Sequence, residues 1–234
     1  MYDGSAEVDD VIDQQKVYGG VARRRGRLLR GARRPPGRRL LEAACGTGRY
    51  LEHLQARWTV EGFDIAEPML EAARARVPDV PVHQADFRTV DLGRRFDVVV
   101  CLFSSIGYAR GLRELRRSVR RLAAHLEPGG ILVLEPWFSE EEFRPHTVHS
   151  TISQSETLHV ARMVTSLKRG RASVLDMHHL VGTPEATQHF LERHELWMFT
   201  ADEYRDALER AGLEVSYDER GLTDRGLWFG RRSR

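Results

Sequence analysis

Lysine is nearly absent from this chain. Of 36 basic residues, two are lysine (Lys16 and Lys168) and the rest are arginine. Cysteine is scarce too. Cys45 and Cys101 cannot build a disulfide framework, so a reducing, cytoplasmic setting is expected. Long apolar runs are missing. None approaches the ~20 residues that span a bilayer, which excludes an integral helical membrane protein. The start, MYDGSAEVDDVIDQQ, is acidic and polar, so neither a secretory leader nor a membrane partner is expected. Disorder is excluded as well: 234 residues with 41% hydrophobic content bury a core of one domain, with room for an insertion.

The net charge of +2 conceals an uneven distribution. Residues 23–39 carry nine arginines and no acid, and residues 110–121 carry six against Glu114 alone. Such patches can be a nucleic-acid footprint. An electrostatic phosphate binder has no reason to exclude lysine, however, so solvated arginine-rich faces are the better reading and a nucleic-acid partner is disfavoured.

Residues 9–33 lack a clean apolar stripe and read as a polar arm with a short arginine-rich helix, stopped at Arg34-Pro35-Pro36-Gly37. Strands then alternate with helices for about a hundred residues. Strands are expected at Arg39 to Ala44, Val60 to Asp64, Val80 to Gln84, Phe96 to Phe103 and Ile131 to Glu135. Helices are expected over 49–56, over Met69 to Arg76 behind Glu67-Pro68, and over 111–126, the last ended by Glu127-Pro128-Gly129-Gly130. This is the pattern of βαβ units in a doubly wound α/β sheet. Residues 146–199 alternate instead, as an antiparallel three- or four-stranded insertion. Thr200 and Glu203 then form a capping box before the last helix, and two strands close the chain, at Leu213 to Tyr217 and Gly226 to Gly230. The boundaries are 1–39 for an arm and lid, 40–136 plus 200–234 for a ligand-binding core, and 137–199 for the insertion.

The first glycine turn, Glu42-Ala43-Ala44-Cys45-Gly46-Thr47-Gly48, places Gly46 and Gly48 where a ligand approaches the backbone closely. A dinucleotide fingerprint would have a third glycine where Leu51 stands, and the P-loop lysine is missing. Glu42, at the end of the first strand, repels phosphate and suits an ammonium. Asp64, sixteen residues after Gly48 at the end of the second strand, suits a ribose diol. Asp86, beside Phe87 after the third strand, suits an adenine amino group. Ammonium, ribose and adenine without phosphates describe S-adenosylmethionine. No metal is expected.

The E-x-A-C-G-T-G turn with an acid after the second strand resembles class I S-adenosylmethionine-dependent methyltransferases, whose sheet is seven-stranded and Rossmann-like. LLEAACGTGRYLEHL, HQADFRTVDLGRRFDVVVCLFSSIGY, AAHLEPGGILVLEPW and DRGLWFG narrow the likeness to the N,N-dimethyltransferases of nucleotide-linked amino sugars, of the desosamine and mycaminose type, in antibiotic biosynthesis. The resemblance implies cofactor contacts at Glu42, Gly46, Gly48, Asp64, Met69, Asp86 and Phe103. It implies a lid residue at Tyr18, beside Lys16, although the family's K-D-Y element here has Val17 in the middle. It implies Tyr2 and Tyr108 near the reacting amine. Substrate contacts are implied at His178 and at Arg225, the latter for the nucleotide diphosphate, and Trp137 offers a stacking face. Pairing of two copies through the insertion is also implied. Methyl transfer to a neutral amine needs positioning more than a strong base, so Tyr108 and Tyr2 are expected to orient the amine. The Phe103-Ser104-Ser105-Ile106-Gly107 turn lacks the D/N-P-P-Y/F set of base-amino methyltransferases, and Cys101 lies within its strand rather than after it. The rival expectation is a methyltransferase for another small metabolite.

Overall fold

The computed structural model describes residues 5–15 and 35–234, with side chains described for 6–12 within the first stretch. Tyr2, Lys16, Tyr18 and Arg23–Arg34 lie outside the described residues.

Phe96–Cys101 (β4) has all six side chains buried and sits in the middle of a seven-stranded sheet. A continuous apolar run suits that place, because both faces of a central parallel strand are covered. On one side it pairs in parallel with Arg39–Ala43 (β1), which pairs with Thr59–Asp64 (β2) and then Val82–Gln84 (β3). On the other it pairs in parallel with Leu126–Leu134 (β5). Leu227–Arg232 (β11) is antiparallel to β5, and Leu213–Asp218 (β10) is antiparallel to β11.

Helices cover both faces, as expected for the doubly wound class. Arg49–Leu54 (α2) and Glu67–Arg76 (α3) pack Leu51, Leu54 and Leu70 against Leu40, Val60, Val98 and Val100. Leu112–Ala124 (α4) and Ala201–Arg210 (α5) pack Leu115, Val119, Leu122, Tyr204 and Leu208 against Leu41, Val99 and Trp228. Thr200 and Glu203 form the expected capping box. Among the described residues, no helix is long and apolar enough to cross a membrane.

The insertion is a four-stranded antiparallel meander: Val148–Gln154 (β6), His159–Arg169 (β7), Ala172–Gly182 (β8) and Thr187–Trp197 (β9). Successive side chains face opposite sides. One face carries Val160, Leu175, His179, Val181, Phe190 and Leu196, all buried. The other carries the exposed Val148, Ile152, Met163, Leu180 and Leu191.

Two elements differ from expectation. The arginine-rich stretch expected to be helical lies outside the described residues, while the arm, expected to be polar at its start, carries an acidic helix there, Ser5–Gln15 (α1). Its Val8, Val11 and Ile12 form a stripe with i, i+3 and i+4 spacing, buried against Val160, Val181 and Phe190. The Pro-Gly-Gly sequence is not a gap between helix and strand. α4 ends at Ala124, and β5 runs from Leu126 straight through Pro128-Gly129-Gly130. The register passes from Phe96↔Leu126 to Val98↔Ile131, so the glycines make a bulge. A side chain on Gly130 would lie 2.9 Å from the Glu127 carbonyl oxygen and 3.2 Å from those of Phe96 and Asp97.

Candidate active site

β1 delivers Glu42 and then a tight turn in which Ala44, Gly46 and Gly48 have φ of 56°, 53° and 75°. Gly48 caps α2 and packs so closely that a Cβ would lie 3.1 Å from Ala73 Cβ. At Gly46 a Cβ would meet nothing within 4 Å, so the turn faces open space there. Asp64 organises this loop from the end of β2. Its Oδ2 accepts from Gly46 N–H at 2.9 Å, and its Oδ1 from Ala66 N–H at 3.0 Å. Ile65, which the sequence reading passed over, is 59% exposed beside it. Met69 lies half-buried in the first turn of α3.

Glu42 is buried, and its Oε2 has no hydrogen-bond partner among the described residues. Burial first, and then the charge of Asp64, hold its pKa well above the usual carboxylate range. A buried carboxyl oxygen without a partner beside an open glycine loop suits an ammonium, so the residues present fit S-adenosylmethionine. Asp86 follows β3 and is gripped by Arg88, whose Nε lies 2.9 Å from both carboxylate oxygens. Burial works to raise the Asp86 pKa, but the Arg88 hydrogen bonds outweigh it and the pKa is lowered. Arg88 also lies over Phe87, 6.0 Å from the ring centroid.

The turn after β4 holds two successive non-glycine residues in the left-handed region, Phe103 (φ 53°) and Ser104 (φ 63°). Buried Glu135, just past β5, fixes it: Oε2 accepts from Phe103 N–H at 2.6 Å, and Oε1 accepts from the Thr223 hydroxyl. Phe103 meets Tyr50 edge-on at 5.9 Å. Ser104 donates to the Pro136 carbonyl and accepts from Arg225 Nη1 at 2.8 Å. Arg225 lies beside Trp137 and Phe138, 5.3 and 5.0 Å from the ring centroids, while the two rings meet each other edge-on at 4.8 Å. Burial lowers its pKa while the charge of Glu135 opposes that. Trp137 is pinned by its indole N–H to Ser173 Oγ at 2.8 Å.

The short 3-10 helix Ser105–Tyr108 then carries Tyr108 toward the insertion, where its hydroxyl lies 2.6 Å from His194 Nδ1. The phenol pKa is pushed up to about 12, first by desolvation, then by the charges of Asp9, Glu192 and Asp64. His178 is not brought into this cluster. It is exposed on the outer face of β8, stacked on His189 at 5.3 Å. Among the histidines of the inner face are His179 and His194. Cys101 is fully buried, and burial pushes its thiol up to about 12, so it has no nucleophilic character.

Asp10 of α1 is another residue the sequence reading missed. Its Oδ1 accepts from the Thr47 hydroxyl at 2.7 Å and from Arg49 Nε at 2.8 Å. Its Oδ2 pairs with Arg76, which also donates to the Thr47 carbonyl at 2.9 Å. The arm helix is thus tied directly to the glycine turn.

Residues 40–130 match the model of a methyltransferase domain. The dTDP-3-amino-3,4,6-trideoxy-alpha-D-glucopyranose N,N-dimethyltransferase of Streptomyces venezuelae is 38% identical over 229 residues, covering 96% of each chain. The chain belongs to the amino-sugar N,N-dimethyltransferase family. A second member, the dTDP-4-amino-2,3,4,6-tetradeoxy-D-glucose N,N-dimethyltransferase of Saccharopolyspora spinosa, is 36% identical and covers 99% of this chain and 98% of its own. Among solved structures, Streptomyces venezuelae DesVI superposes with a TM-score of 0.91 at 36% identity, over 100% of this chain and 99% of that one. SAM-bound CalS10 of Micromonospora echinaspora, an amino pentose methyltransferase, gives 0.81 at 38% identity, over 94% and 96%. This family's methyl donor is S-adenosylmethionine, as the sequence reading expected.

Proposed function

We propose that this chain N,N-dimethylates the amine of a dTDP-linked deoxyamino sugar in antibiotic biosynthesis. The observation that carries the reading is the likeness to such enzymes along nearly the whole chain, insertion included. When bound, S-adenosylmethionine supplies an electrophilic methyl group on a sulfonium. Glu42 holds the ammonium of the cofactor, Asp64 its ribose hydroxyls, and Asp86 with Phe87 its adenine. Gly46 and Gly48 admit it to the backbone, while Met69 and Phe103 line its sides. Tyr18 closes the lid.

Arg225 holds the diphosphate, since a guanidinium makes paired hydrogen bonds to phosphate oxygens. Its place beside two aromatic rings, in no ion pair among the described residues, supports that role. Trp137 offers the sugar or base a flat face. Tyr108 and Tyr2 orient the amine so that its lone pair points along the line of displacement, and such positioning can supply much of the rate. His178, on the outer sheet face, reaches a substrate only if a second copy brings one there.

We assign 40–136 and 200–234 to the cofactor-binding core, 1–39 to the lid, and 137–199 to substrate contact and pairing of two copies. We place the enzyme in the cytoplasm. Incubation with S-adenosylmethionine and a panel of dTDP-amino sugars, read by mass for +14 and +28 shifts, tests the reading. No transfer to any of them, with transfer to an amine on a finished natural product, would replace it.

A further inference from the structure

Tyr108 stands at the end of a line of titratable groups. Its Oη is 2.6 Å from His194 Nδ1, and His194 Nε2 is 3.8 Å from Glu192 Oε2. His179 Nε2 lies 3.3 Å from the same Glu192 oxygen, an ion-pair approach rather than an aligned hydrogen bond. The line follows from strand geometry: Glu192 and His194 are two apart on β9, and His179 lies diagonally across on β8, where Met177 pairs with Glu192. His179 is 1% exposed and stacks on Phe190 at 4.5 Å. His179 first, and then His194, bring the Glu192 carboxyl down to about 2, so it is ionised whenever the site works. The other charged groups facing the line are Asp9 from α1, Asp64 from the end of β2, and Arg162 of β7, which pairs with His179.

The chemistry leaves one task unassigned, given the amino-sugar reading. Each transfer turns a neutral amine into an alkylammonium, and a second transfer needs the lone pair back. The proton must therefore leave between the two transfers. The geometry points to His194 as the acceptor of that proton, reached through Tyr108. The ammonium N–H gives its proton to Tyr108 Oη while the Tyr108 proton passes to His194 Nδ1. The imidazolium so formed faces Glu192 and later loses the proton to water. One N–H bond breaks at the sugar and one forms at the imidazole. A free phenolate is never required, which suits a phenol whose own pKa is high. His194 acts through Tyr108 and is a positioning residue, with the charge of Glu192 supporting the imidazolium.

The test compares wild type with His194→Phe and Glu192→Gln, each checked for folding by circular dichroism. The +28 to +14 product ratio is read at neutral and at alkaline pH. The expected result is a ratio about tenfold lower in both variants at neutral pH, restored at alkaline pH, where hydroxide removes the proton unaided. An equal loss at every pH, or no loss, overturns the relay. If wild type methylates no amino sugar, the functional reading fails instead. Histidine nitrogen NMR then still decides, because the relay requires His194 to carry its hydrogen on Nε2 and to respond to Tyr108→Phe. A hydrogen on Nδ1 overturns it whatever the substrate.

Discussion

Glu42 carries a consequence for binding that protons can report. Its pKa is raised, so the folded chain holds that proton more tightly than the unfolded chain does. Its contribution to stability is therefore present below the ordinary carboxylate range and is lost as pH rises through the folded value. An arriving ammonium reverses the preference, so cofactor uptake should release a proton at any pH where Glu42 still holds one. Titration calorimetry in two buffers of different ionisation enthalpy should show it. Glu42→Gln should abolish the buffer difference, raise the Tm of the cofactor-free protein at neutral pH, and weaken S-adenosylmethionine by about tenfold or more, the scale of a lost charge-assisted hydrogen bond. Tyr108→Phe should slow turnover by less than about a hundredfold in single-turnover kinetics, the low end for proton-transfer groups. Glu42, Asp64 and Asp86 were readable in the sequence because each ends or follows a strand at a turn. His194 was not, because 86 residues separate it from Tyr108 and no local pattern joins them. His178 and His179 posed a different problem. Alternation says that neighbours face opposite sides, but β8 has apolar residues on both, Val174 and Leu180 on one and Leu175 and Val181 on the other. Parity alone does not say which side is inward.

At the scale of elements, α1 acts as a bridge. Its apolar stripe rests on the four-stranded sheet, and its Asp10 holds Thr47, Arg49 and Arg76 around the glycine turn. Asp10→Ala should destabilise the chain by about 1–3 kcal/mol, because two largely covered guanidinium groups lose their acceptor. It should also loosen α1. Chemical denaturation reads the first effect and amide hydrogen exchange in residues 5–15 reads the second; unchanged exchange would mean that the apolar stripe alone holds the helix. The stripe was missed in the sequence because Val8, Val11 and Ile12 stand among acids and run out before the arginine-rich segment. Pro128-Gly129-Gly130 misled for the opposite reason. Proline and glycine do mark a break in regular pairing, but here the break is a bulge inside β5, made by long-range contact with β4.

At the scale of the whole molecule, the two covered faces of the sheet follow from strand–helix alternation, while the strand order is seen only in the structure and seven strands came from family likeness rather than from periodicity. The arginines are partly accounted for by ion pairs, such as Arg39–Glu127, Arg116–Asp206 and Arg171–Glu203. The outer face of the insertion has no such account. Val148, Ile152, Met163, Leu180 and Leu191 are 48–73% exposed there, apolar side chains on a face that a partner could cover. Ile152→Glu with Leu191→Glu should halve the mass seen by light scattering if two copies pair on that face, and should leave it unchanged if they do not. The insertion is also a single backbone layer whose two sides have different duties. Adding or losing one residue within β8 would turn the relay side outward and the apolar side inward at a stroke. Changes in length during evolution should therefore concentrate in the hairpin tips at 155–158, 170–171 and 183–186, and the strands between them should keep their count even where their side chains drift.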